Sequence, residues 1–164
     1  MDEAAITRYI TDTFAGVDVV VGSREAGSPE VAWGDSFFSY DPDRNLPPAH
    51  RFPFATIVTK DYGDFDCASQ LNRPGVFRLN IGVGKETYRS LFGPQPPSPP
   101  SGGAVATGHD STALDQIMPH PVYAPQSWVC VLNPSAATFE AVRPLLADAY
   151  QLAVSRHAKR EARG

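Results

Sequence analysis

An alternation of apolar and polar residues over positions 76–83 is the clearest structural pattern in the chain. Alternate apolar side chains fall on one side of the strand that it predicts, whereas Arg78 and Asn80 fall on the other side. Such alternation is typical of an antiparallel sheet that is buried on one face only. We therefore expect Arg78 and Asn80 to lie on a polar sheet face that is open to solvent.

Four other β-rich runs complete the predicted sheet, at residues 17–21, 36–40, 54–60 and 128–132. The last of these runs is apolar at successive positions, which predicts a central strand that is covered on both faces. The sequence thus predicts about five short strands joined by long connections.

Helical patterns frame these strands at both ends of the chain. Apolar residues repeat at three- and four-residue steps over 6–14, which predicts an N-terminal helix that Asp2 caps. A short helix is predicted over 85–92. A C-terminal helix should begin after Asn133 as its N-cap, and Pro144 should kink that helix or divide it in two. This order predicts an α+β fold, an antiparallel sheet of about five strands with the N- and C-terminal helices packed on one face.

The length of the chain, 164 residues, predicts a single domain over 1–164. Residues 22–34 are predicted to form a polar loop excursion. Residues 93–108 form a Pro- and Gly-rich insert, a composition that favours extended, solvated backbone. We expect the basic residues at 157–164 to form a frayed, solvated tail.

The net charge, the apolar runs and the cysteines disfavour several classes of partner and location. The formal net charge is −4 and the pI is about 5.5, which disfavours binding to nucleic acid. The acidic start of the chain is unlike a signal peptide, and no apolar run reaches the roughly 20 residues of a membrane span, so no membrane partner is predicted. Cys67 in a polar loop and Cys130 in an apolar strand are predicted to be free thiols, which favours a cytoplasmic location.

The Gly-Val-Gly-Lys segment at 82–85 is similar to part of a phosphate-binding loop. A complete loop needs glycine five residues before its Gly-Lys pair and Ser or Thr after it, but Leu79 and Glu86 occupy those positions. The motif therefore fails. Lys85 at the start of a helix remains a candidate for holding a lone anion, and an ordinary tight connection is the alternative.

His120 is the most promising titratable residue. Two prolines flank it, and Tyr123 and Trp128 follow closely. A rigid loop with aromatic neighbours is a candidate pocket wall, and the alternative is a loop that simply crosses the sheet edge. His109 and Asp110 add residue types of a metal site, but no ligand spacing supports one, so neither a metal nor another cofactor is predicted.

Three blocks carry a family resemblance: residues 52–61, residues 73–83, and residues 118–123 leading to 128–135. Together they resemble the actinobacterial family of unknown function numbered 6194, which implies no activity. Tyr123, Trp128 and the Ala149-Tyr150 pair are also remotely similar to MmcQ/YjbR-like proteins. That resemblance implies a frataxin/CyaY-type fold and DNA binding, and the acidic composition of this chain departs from the second expectation.

Three hypotheses for the function follow. The first is a non-enzymatic binding module that takes an unknown protein partner on the exposed face with Arg78 and Asn80 and on the His120 loop. The alternative is a small-molecule-binding protein or enzyme with a pocket between that loop and Arg78. The third is a nucleic-acid-binding protein. Nucleophilic catalysis has little support, because burial of Cys130 would make its thiol inert.

Overall fold

The computed structural model describes residues 1–163 and shows an α+β fold. Its helices and strands, in chain order, are α1 (Glu3–Thr13), β1 (Val17–Val21), β2 (Ser36–Tyr40), β3 (Ala55–Val58), β4 (Arg78–Gly82), α2 (Lys85–Phe92), β5 (Met118–Pro119), β6 (Trp128–Leu132) and α3 (Ala136–Arg163). The strands form one antiparallel sheet in the order β1-β2-β3-β4-β6-β5. The predicted fold class is confirmed, and the sixth strand is the two-residue β5, which was predicted to be a loop.

The N- and C-terminal helices pack on one face of the sheet, as the sequence predicts. Ile6 and Ile10 of α1 are fully buried, because the three- and four-residue repeat places them on one side of the helix. They join a core that includes Phe139, Val142 and Leu146 of α3. The sheet contributes the alternate residues of its strands to this core, namely Phe38, Ala55, Ile57, Leu79, Ile81, Val129 and Val131.

The predicted N-cap of the last helix is wrong. Ser135 caps α3, and its hydroxyl accepts a hydrogen bond from the backbone N–H of Thr138. Asn133 instead fastens β6 to the start of β4. Its side chain accepts from the N–H of Phe77 at 2.9 Å and donates to the carbonyl of Gly75 at 3.0 Å. Its φ of 42° lies in the left-handed region, which asparagine tolerates better than most residues.

Helix α3 is one continuous element although it contains Pro144. Of the two predicted effects of Pro144, a kink or a division, the division is wrong, because Val142, Leu145 and Leu146 are buried on both sides of the proline. Their packing offsets the one backbone hydrogen bond that proline cannot donate. The helix continues to Arg163 through the segment that was predicted to fray, and Gly164 lies outside the described residues. No helix within residues 1–163 is long and apolar enough to cross a membrane.

The sheet face opposite α1 and α3 is not open at Arg78 and Asn80, so the sequence-based prediction is wrong there. Their side chains are only 1% and 3% exposed. The 59–75 loop and the short edge strand β5 cover this face. The 59–75 loop contributes Leu71, and β5 contributes Met118, to a second apolar cluster with Val58, Cys130 and Leu132. Strand alternation indicates which residues share a face, but it does not show whether a distant loop covers that face.

The role of Asn133 can be tested by the substitution Asn133→Asp. Aspartate is as good an N-cap as asparagine, and its charge suits a helix N-terminus, so a capping role predicts no loss of stability. In the structure a carboxylate would face the Gly75 carbonyl, and we expect the free energy of unfolding to fall by about 1–3 kcal/mol. Urea denaturation measures the difference.

Ser135→Ala provides the comparison, because loss of the true cap should cost about 1 kcal/mol. If Asn133→Asp is as stable as the unsubstituted protein, the fastening role is wrong.

Candidate ligand pocket

A buried ion pair lies at the centre of the sheet face opposite α1 and α3. Arg78 projects from β4, and its guanidinium donates to both carboxylate oxygens of Asp66 in the 59–75 loop, with the Nη1–Oδ1 distance at 3.0 Å. Nη1 also donates to Ser69 at 2.9 Å, and Nε donates to Asn80 at 2.8 Å. The pair neutralises the two charges, and these hydrogen bonds tie the loop to the sheet.

The hydrogen-bond network continues across the sheet to β3. The side-chain amide of Asn80 donates to the hydroxyl of Thr56 at 3.0 Å. The two residues are direct neighbours in the β3–β4 register, so their side chains share one face. Because the Thr56 oxygen accepts this bond, its hydroxyl proton is available to another group.

His120 closes the network from the other side. Its Nδ1 accepts hydrogen bonds from the backbone N–H groups of Val122 and Tyr123, both at 3.0 Å. A neutral ring that accepts at Nδ1 carries its proton on Nε2. Burial, aided by the positive charge of Arg78, holds the pKa of His120 well below its usual value, so the ring is neutral at pH 7.

The Nε2 atom of His120 lies 3.3 Å from Nη2 of Arg78. Both atoms carry protons, and neither can accept from the other. In the described part of the chain, this arginine nitrogen is the one polar atom within hydrogen-bond distance of Nε2, and it cannot accept a hydrogen bond. Two N–H donors therefore meet at one place, and an oxygen atom that bonds to both would satisfy them.

These polar groups form the floor of a large pocket with aromatic walls. Its volume is about 890 Å³, within the range of small-molecule sites. Trp128 lies over Gly82, where any larger residue would place its Cβ 2.9 Å from the indole ring. The aromatic residues that line the pocket are Phe37, Tyr40, Phe52, Phe54, Tyr62, Phe65, Tyr123 and Trp128.

The C-terminal half of α3 forms the rim of the pocket. Four cationic residues of this helix line it, namely Arg156, Lys159, Arg160 and Arg163. Their spacing of three and four residues places them on one side of the helix. None of them forms a salt bridge to a carboxylate of residues 1–163. The sequence predicted that Lys159, Arg160 and Arg163 belong to a solvated tail, and the helical spacing that they share with Arg156 was the signal that this prediction missed.

The structure brings five of the six candidate residues together. Arg78, Asn80, His120, Tyr123 and Trp128 all line the pocket.

The sixth, Lys85, is exposed at the start of α2 and does not line the pocket. The neighbouring Gly84 N–H donates to the carboxylate of Asp148 at 2.7 Å, so a side chain of the protein already occupies this helix N-terminus.

The other candidates for chemistry do not form a reactive group. Burial raises the pKa of the Cys130 thiol to about 12, which makes it inert as predicted. His109 is exposed, whereas His120 is buried, and no cluster of three or more metal-ligating side chains occurs within residues 1–163. Asp66, in the loop between β3 and β4, is engaged as the buried partner of Arg78.

Comparison with known proteins places the chain in a family. The family of unknown function DUF6194 matches residues 1–162, and the chain belongs to it. No curated protein and no solved structure matches the chain.

The titration of His120 predicts a pH dependence of stability. Because its pKa is lowered in the folded state, the unfolded chain takes up a proton below about pH 6.5 while the folded protein does not. Stability is therefore retained above that pH and lost as the pH falls, by up to about 1.4 kcal/mol per pH unit. His120→Asn keeps an acceptor for Val122 and Tyr123 but cannot titrate, so urea unfolding at pH 7 and pH 5 should show a smaller loss.

His109→Asn is the matched control, because His109 is exposed and should leave the pH dependence unchanged. An equal loss of stability in the His120→Asn variant and in the unsubstituted protein would show that the ring is not held neutral by the fold.

The buried pair predicts strong coupling between Arg78 and Asp66. Asp66→Asn leaves a guanidinium charge buried without its counter-charge and should cost about 3–5 kcal/mol. The double variant Asp66→Asn/Arg78→Gln should cost about 2 kcal/mol less than the sum of the two single variants. Denaturant unfolding measures this cycle, with the exposed Asp64→Asn as the control. Additive losses would mean that the pair does not hold the loop.

Proposed function

We propose that this protein binds a small organic molecule in the pocket between the sheet and the C-terminal half of α3. The observation that carries the proposal is a cavity of about 890 Å³ with aromatic walls and a floor of buried, convergent polar groups. Apolar walls supply most of the free energy of binding, and a few fixed polar groups supply orientation. An aromatic or extended apolar molecule with an oxygen acceptor fits this arrangement.

The floor is already held in place before a ligand binds. Arg78 is fixed by Asp66, Ser69 and Asn80, and His120 is fixed by two backbone N–H groups. A ligand would therefore not have to order these side chains, which lowers the entropic cost of binding. A purely structural network would satisfy its own donors, but the N–H groups of Arg78 and His120 face each other.

Binding is a better match to this geometry than catalysis. His120 is a weak general base, because its lowered pKa means a low affinity for a proton, and because its one lone pair, at Nδ1, already accepts from two backbone donors. Arg78 is neutralised by Asp66 and cannot easily exchange its partner. The hypothesis of a protein partner docked on Arg78 and Asn80 loses its basis, since both side chains are buried.

Four predictions from the sequence concern properties other than ligand binding. A cytoplasmic location, a single-domain organisation, an actinobacterial origin and the remote relationship to MmcQ/YjbR-like proteins remain predictions from the sequence. DNA binding is not proposed, because the formal net charge of −4 opposes it.

A fragment screen by thermal shift tests the proposal. A ligand present at a hundred times its Kd stabilises the folded state by about 2.7 kcal/mol, which raises the Tm of a protein of this size by about 5–10 °C. We expect aromatic fragments with an oxygen acceptor to give such shifts. Two variants that fill the pocket from opposite walls, Ser39→Phe and Ala153→Trp, should abolish them.

Ser90→Phe is the matched control, since Ser90 is exposed on α2 and lies outside the pocket. Cooperative unfolding of each variant establishes that it is folded. The proposal is wrong if no fragment binds, or if bound fragments stabilise both pocket-filling variants as much as they stabilise the control.

A further inference from the structure

The pocket has two polar ends that differ in charge. At the floor, the charge of Arg78 is balanced by Asp66, and the remaining groups are the neutral side chains of Asn80, Thr56 and His120. At the rim, the cationic face of α3 carries four positive charges, and Glu161 is the one acidic residue in its last turns. The floor therefore offers neutral hydrogen-bonding groups, whereas the rim offers a net positive charge.

Glu161 forms no salt bridge with the cations of this rim. Its carboxylate lies 3.8 Å from Nε2 of His157, the residue one turn before it. His157 in turn packs edge-on against Tyr40, with the ring centroids 5.1 Å apart. Glu161 is thus paired with His157, and no carboxylate from residues 1–163 forms a salt bridge with the four cations along the pocket.

Arg160 distinguishes this rim from an ordinary solvated helix end. Its side chain is partly buried, and its Nε atom is buried with no hydrogen-bond partner. Its Nη1 makes only a long contact, 3.4 Å, to the carbonyl of His50. A buried N–H of a guanidinium without an acceptor is costly, and an anion that accepts from it would recover that cost.

We propose that the ligand of this pocket is an amphipathic anion with a defined orientation, an inference that rests on the proposed binding function. Its carboxylate, phosphate or sulfate group pairs with the cationic face of α3, and Arg160 is the central contact. Its apolar or aromatic body lies between Phe37, Phe54 and Trp128. A neutral oxygen at the far end accepts hydrogen bonds on the floor.

The ordinary alternative for these cations is interaction with the negative end of the helix dipole. That interaction acts within the last turn of a helix and suits solvated side chains. Arg156 lies two turns before the end of α3 and still lines the pocket with Arg160. A dipole alone would also not account for a buried Nε atom on Arg160. The arrangement fits an anion that lies against the helix side.

A pair of fluorescent probes that differ in charge tests this inference. 1-Pyrenebutyrate and 1-pyrenebutanol share the same aromatic body, and only the first is an anion. In a fluorescence titration at low salt, we expect the butyrate to bind about tenfold more tightly, as a charge-assisted hydrogen bond permits. Raising the salt concentration should reduce this preference, because salt screens charges at a partly exposed rim.

The double variant Arg156→Gln/Arg160→Gln should lose the preference for the butyrate while still binding the butanol. Arg8→Gln/Arg24→Gln removes the same amount of charge at exposed sites outside the pocket, and it should keep the preference. This contrast separates the two parts of the account. Equal binding of both probes to the unsubstituted protein would overturn the anionic ligand and leave the binding function intact.

Three other outcomes would contradict further parts of the proposal. Absence of binding by both probes, at concentrations where the fragments bind, would place those fragments outside the apolar body of the pocket and overturn the proposed site along with the inference. Displacement of 1-pyrenebutyrate by an equimolar DNA duplex would assign the cations of α3 to nucleic acid. A preference that survives in Arg156→Gln/Arg160→Gln would show that the charge is recognised elsewhere.

Discussion

The buried ion pair between Arg78 and Asp66 is the interaction on which the rest of this structure depends. Without a counter-charge, Arg78 could not remain 1% exposed on a central strand, because burial of an unpaired guanidinium costs several kcal/mol. The pair draws the 59–75 loop over the sheet, and the loop carries Leu71 into a second apolar cluster. The polar residues of this face would otherwise be solvated. Because of the loop, one part of the face is buried in the protein interior, and another part forms the floor of the pocket.

The pocket follows from how unevenly that face is covered. The 59–75 loop and β5 close the part near Val58 and Leu132, whereas the part near Thr56 stays accessible and extends to the end of the sheet. There α3 contributes its last turns as a second wall, although the same helix is packed by its first turns on the opposite face. One long helix thus supplies both core and rim, which depends on its continuing unbroken through Pro144.

Sequence patterns predicted the helices and strands well, but they did not predict which surfaces distant loops bury. The alternation around Arg78 correctly assigned it and Asn80 to the face opposite the helices, because strand geometry is local. The sequence did not predict that this face is buried. Its burial depends on Asp66, twelve residues away, which pairs with Arg78 instead of being solvated. Asn133 shows the same limit. Its position before Pro134 fits a helix cap, but a contact to Phe77, 56 residues away, decides its role.

A crystal structure of the protein with 1-pyrenebutyrate tests the central claim most directly. The account predicts that the pyrene lies between Phe54 and Trp128, with its carboxylate within hydrogen-bond distance of Arg160 and with the Arg78–Asp66 pair unchanged. A probe bound in the reverse orientation, with its carboxylate at Arg78 and Asp66 displaced, would contradict the assignment of the floor as neutral and the rim as the anion site. A probe bound outside the pocket would contradict the account as a whole.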